Sequence, residues 1–124
     1  MNKEKFIEEI EGLDFYGHPR FYDLVLEMIK IHSSKNKDYA TREDPLQNFK
    51  RVGELARRYN LVTEGYESTK IGIIYMLKQL DASLKLLRDR QVGEVENIPK
   101  RLMDVAVYSL LEIILYEEEE YGLI

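Results

Sequence analysis

The chain has 124 residues, 44% hydrophobic and 33% charged, with a net charge of −5 and no cysteine. Those values describe one soluble compact domain without disulfides or thiolate metal ligands, suited to a reducing cytoplasm. The acidic balance disfavours a nucleic-acid binder, the N-terminus "MNKEKFIEEIEG" has no apolar signal-peptide core, and no apolar run reaches the length of a membrane span.

In chain order, Phe6, Ile7 and Ile10 predict a short first helix over Lys3 to Glu11, and Gly12 and Gly17 bracket the link after it. Pro19 suits a first helical position, and Phe21, Leu24, Val25, Met28 and His32 carry an amphipathic helix to about Ser34. A polar link follows, within "HSSKNKDYATREDPLQNF" (32–49). Asp44-Pro45 reads as a helix start, leading to Leu46, Phe49, Val52 (or Gly53) and Ala56 and ending near Asn60. From about Glu67 the seam Ile73, Leu77, Leu80, Leu84, Leu87 steps by four and three, as a bundle helix requires. Gly93 and Pro99 act as breakers before a last helix, from about Pro99 to Glu119, that contains "LMDVAVYSLLEIILY". The glutamate run after it reads as a solvated helix end. The expected fold is an all-α bundle of four or five helices in one domain, 1–124. Residues 1–18 form a peripheral helix and link, and 19–120 the core bundle. The continuously apolar last helix predicts a homo-oligomer, a dimer or tetramer.

Asp104 stands in that apolar helix, where an unpaired carboxylate would cost several kcal/mol, roughly, to desolvate. Two accounts stay open. Asp104 pairs with Arg101 or a lysine as a structural contact, or it faces Asp81 across two antiparallel helices and the two hold Mg²⁺ or Mn²⁺. Asp81, between Lys78 and Lys85, equally fits a solvated salt-bridge face. Lys35, Lys37 and Asp38 in the polar link fit either a wet turn or a wall of a triphosphate pocket, and Asn48 could reach a base or sugar. His32 continues an apolar face and reads as a core or rim histidine before a ligand. No glycine-rich phosphate loop, nucleophile elbow or H-E-x-x-H is present. "NFKRVGELARRYN" could serve a DNA-binding helix-turn-helix, against the acidic balance.

"KNKDYA…EDPLQNF" together with "YMLKQLDASLKLL…VENIPKRLMDVAVYSLLEI" resembles the MazG-like all-α nucleotide pyrophosphohydrolases, in a phage-type branch of small proteins. The resemblance covers roughly residues 21 to 117. It implies a helical oligomer that splits a nucleoside triphosphate into monophosphate and pyrophosphate with Mg²⁺ or Mn²⁺. Asp81 and Asp104 match acids of the two metal-binding helices, and Asp38 or Glu96 would complete the ligand set. Lys78 and Arg101 stand where the family has glutamates, so two of four expected carboxylates are basic. The resemblance gives Asp81, Asp104 and Lys78 catalytic roles. It gives substrate contacts to Lys35, Lys37, Asp38, Tyr39, Asn48, Arg101 and Tyr108. The alternative is a non-catalytic helical oligomerisation or partner-binding protein that keeps the fold without the full metal site.

Overall fold

The computed structural model describes residues 1–39, 46–91 and 97–122, except the side chains of 35–39, 47 and 48. Five helices account for most of them: α1 (Lys3–Glu11), α2 (Pro19–Tyr39), α3 (Gln47–Arg58), α4 (Glu67–Arg88) and α5 (Ile98–Tyr121). The described residues contain no strand. No helix among them is long and apolar enough to cross a membrane.

Local chemistry explains the helix ends. Asn2 accepts from the Lys5 N–H (2.8 Å) and Asn97 from the Lys100 N–H (2.9 Å), each satisfying a donor the helix leaves unpaired. At α2 the cap is His18, whose Nδ1 accepts from the Arg20 N–H at 3.0 Å, while Pro19 takes the first helical position. α3 and α4 both close in Schellman turns. Leu61 N–H reaches Ala56 O (2.8 Å) and Gln91 N–H reaches Leu86 O (2.9 Å), with Asn60 and Arg90 in the left-handed region at φ 58° and 54°.

α2 outruns its expected end near Ser34 and continues to Tyr39, so residues 35–39 of the polar stretch are helical. Nothing between His32 and Tyr39 is a glycine or proline, and the polar residues there do not by themselves break a helix. The expected start at Asp44-Pro45 lies outside the described residues.

α4 is the central element: α5 lies along it antiparallel, α3 packs on it, and α2 touches α5 more lightly. Leu46, Phe49, Leu111 and the fully buried Leu115 form the core. Phe49, Tyr75 and Tyr108 join it as an aromatic triad, one ring from each of α3, α4 and α5, with centroids 5.9–6.0 Å apart in edge and tilted pairings. α3 crosses α4 at Gly53, where a β-carbon would come within 2.9 Å of Ser68 N.

The inward face of α4 is Ile71, Gly72, Tyr75, Gln79 and Ser83. The leucine-rich seam from Ile73 to Leu87 was the expected core stripe, and it points the other way. Its five residues are 38–67% exposed. α1 buries none of its residues. Between α2 and α5 runs an apolar groove of about 610 Å³, lined by residues such as Phe21, Val25, Met28, Leu102 and Leu110. Among the described residues no charged side chain lines it.

Candidate functional site

The polar residues that the fold brings together lie along the α4–α5 seam. At one end, Arg101 Nη1 donates to Gln79 Oε1 (2.7 Å), and Gln79 Nε2 donates to Asp104 Oδ2 (3.1 Å). A guanidinium, an amide and a carboxylate thus form a short chain. Its charges balance, and Asp104 is only 7% exposed. Asp104, Arg101 and Tyr108 each make further interactions as well. The carboxylate flagged by its apolar surroundings is therefore buried, and its desolvation is offset by hydrogen bonding.

Asp81 does not face Asp104. It is exposed, and its charge acts on Arg88, whose pKa lies above the usual arginine value chiefly because Asp89 hydrogen-bonds it. The α4 residue opposite Asp104 is Gln79, and Asp81 lies two positions further on, about 200° round the helix. Lys78 is likewise exposed. The expected Asp81–Asp104 metal pair is thus corrected to an Arg101–Gln79–Asp104 cluster. Among the described residues no group of three or more His, Asp or Glu side chains could hold a metal ion.

The remaining candidates divide in two. Tyr108 contributes its ring to the aromatic triad and is half-buried there. His32 is half-buried on α2. The side chains of Lys35, Lys37, Asp38, Tyr39 and Asn48, and the whole of Glu96, lie outside the described residues.

At the middle of the seam sits a residue that sequence reasoning passed over. Glu112 is 9% exposed, and neither carboxylate oxygen has a hydrogen-bond partner among the described residues. Its carboxyl lies over Gly72, where a β-carbon would overlap it. Burial pushes its pKa up to about 7, and the charge of Glu119 adds to the rise. The break it makes in "SLLEIIL" was the available signal, of the same kind that singled out Asp104.

At the far end the glutamate run is not simply solvated. Glu118 pairs with Lys50 (3.0 Å), and Glu119 accepts from both Thr69 N–H and Thr69 Oγ1 (2.8 Å each). Glu120 accepts from the Tyr66 hydroxyl, which raises that phenol's pKa. Tyr66 also stacks on Tyr116 at 6.0 Å. Three carboxylates tie the end of α5 to α3 and to the start of α4.

No protein-family model, curated protein or solved structure matches this chain.

Proposed function

We propose that this chain binds a nucleoside triphosphate, with divalent-metal-dependent release of pyrophosphate as its activity. The observation that carries the reading is Asp104, a carboxylate buried in an apolar helix and held in a fixed orientation by Gln79, with Arg101 in the same cluster. A cluster of this kind presents an oriented acid beside a guanidinium, and guanidinium is the side chain best matched to phosphate oxygens. The motifs that resemble MazG-like enzymes support the same reading, in which Asp38 or Glu96 would supply the further ligands for Mg²⁺ or Mn²⁺. The described residues alone do not supply a cation cage. When bound, the metal would neutralise phosphate charge and activate water. In this reading the chain's own residues orient and bind: Asp104 fixes the acid, and Arg101 with Lys35 and Lys37 meets the phosphates.

A specific observation favours a second reading, a non-catalytic helical protein that works through its surface. The charges of Asp104 and Arg101 already balance within the fold through Gln79, while an apolar stripe of α4 faces outward. Pyrophosphate release from a nucleotide panel with Mg²⁺ or Mn²⁺ separates the two. The enzyme reading requires turnover that Asp104→Asn removes and Asp81→Asn leaves in place. No turnover and no nucleotide binding at millimolar concentrations would leave the second reading.

A further inference from the structure

We infer that α1 closes over the α2–α5 groove as a lid, seating Phe6, Ile7 and Ile10 against Phe21, Val25 and Leu102. In this structure the lid stands open. The groove is an apolar slot of about 610 Å³, and α1 buries none of its residues. Two uncovered apolar faces thus lie on one chain, one on each side of a short link.

The stability of α1 is the first argument. Isolated helices shorter than about 12–15 residues are marginal in water, so a helix of 9 residues needs a surface to pack on. Its Lys5–Glu9 pair, at 3.1 Å, is exposed on both sides and adds little. Phe6, Ile7 and Ile10 fall on one stripe, the pattern of a helix laid on an apolar surface.

The link is the second. Only residues 12–18 separate α1 from α2, a length that ordinarily joins antiparallel neighbours. The link already doubles back onto α2. Gly17 N–H donates to the Tyr22 hydroxyl at 2.8 Å, and Phe15 stacks on the Tyr22 ring at 4.0 Å. An α1 that continues this course runs past Phe21 toward Met28. The lengths agree: α1 is about 12 Å long and the α2 wall of the groove, Phe21 to Met28, about 10 Å at 1.5 Å per residue.

Charge is the third. α1 carries Glu4, Glu8, Glu9 and Glu11 against Lys3 and Lys5. The first turn of α2 has no acid and holds the exposed Arg20, beside which an antiparallel α1 brings Glu11. The lid and the proposed nucleotide site share no residue, so either reading can fail without the other.

The sequence has no tryptophan, so Phe6→Trp places a single indole on the lid face of the whole protein. Its quenching by acrylamide, a neutral quencher, should be several-fold weaker than in the urea-unfolded protein. Adding Leu102→Glu or Phe21→Glu should restore quenching several-fold. These positions, one on each wall, are 49% and 61% exposed with the lid open, so the acid enters no core, and circular dichroism checks each fold. Leu77→Glu, on the outward face of α4, should leave the shielding unchanged, as should dilution. An indole as accessible as in the unfolded chain overturns the inference, as does shielding that survives the groove substitutions. Shielding lost on dilution or with Leu77→Glu also overturns it, and assigns the cover of α1 to a second copy.

Discussion

Asp104 and Glu112 are two carboxylates on one helix with opposite fortunes. Asp104 receives an amide hydrogen bond and shares a cluster with Arg101, whereas Glu112 has neither hydrogen-bond partner nor cation among the described residues. Asp104→Asn keeps the shape but removes the charge that balances Arg101, so it should destabilise the protein by roughly 1–3 kcal/mol in urea unfolding. Gln79→Leu should cost a similar amount, since it removes the amide that links the two charges. Wild-type stability in both variants would contradict the cluster. Glu112 behaves differently. Its folded pKa is near 7 and its unfolded value near 4.5, so the folded state holds the extra proton between those values. Stability should therefore fall as pH rises from about 4.5 to about 7, by an amount of order 3 kcal/mol at most, and level off above. Glu112→Gln should flatten that fall and be at least as stable as wild type at pH 8. An unchanged pH profile in the variant would place the titration elsewhere. An acid in an apolar run is visible in a sequence. Whether a neighbouring helix brings it an amide or a bare glycine is not, because that depends on the register of α4 against α5.

At the scale of elements, the sequence was most informative where chemistry is local. α1 matches its expected span from Lys3 to Glu11, and α4 and α5 begin within a residue of expectation. The starts of α1 and α5 depend on capping and proline signals that act within four residues. The continuation of α2 to Tyr39 was missed because a polar composition was read as a link. The turn at Arg90 was missed because left-handed residues are expected to be glycine or asparagine. That turn gives a prediction. An L-residue in the left-handed region costs roughly 1–2 kcal/mol and glycine is free of that cost, losing about 0.5–1 kcal/mol in chain entropy instead. Arg90→Gly should therefore raise stability by about 0.5–1 kcal/mol. Gly53→Ala should act in the opposite direction. Its helix-propensity gain of about 1 kcal/mol is outweighed by a β-carbon 2.9 Å from the Ser68 backbone, which has no flexible end to yield. Chemical denaturation of the two variants beside wild type checks both signs.

For the whole molecule, periodicity showed that α4 carries a stripe but not which way the stripe faces. A stepping of four and three fits burial against the same chain and burial against another equally well. The fold resolves this by spending the opposite face of α4 on α3 and α5. The aromatic triad and the carboxylate ties at the end of α5 hold the protomer together from that side, and they leave Leu77, Leu84 and Leu87 more than half exposed. If a second copy covers them, folding and association are one equilibrium, and stability depends on protein concentration. A tenfold increase in concentration then adds about 1.4 kcal/mol per mole of dimer. With the usual unfolding entropy per residue for two chains of this length, the melting temperature should rise by roughly 2–3 °C per tenfold. The measurement is a set of thermal melts from 1 to 100 µM, about 5 °C end to end by the same scaling. Leu84→Glu should melt at a lower temperature and show no such rise, because its protomer folds alone. A wild-type melting temperature constant across the series would mean that the α4 stripe stays exposed to water.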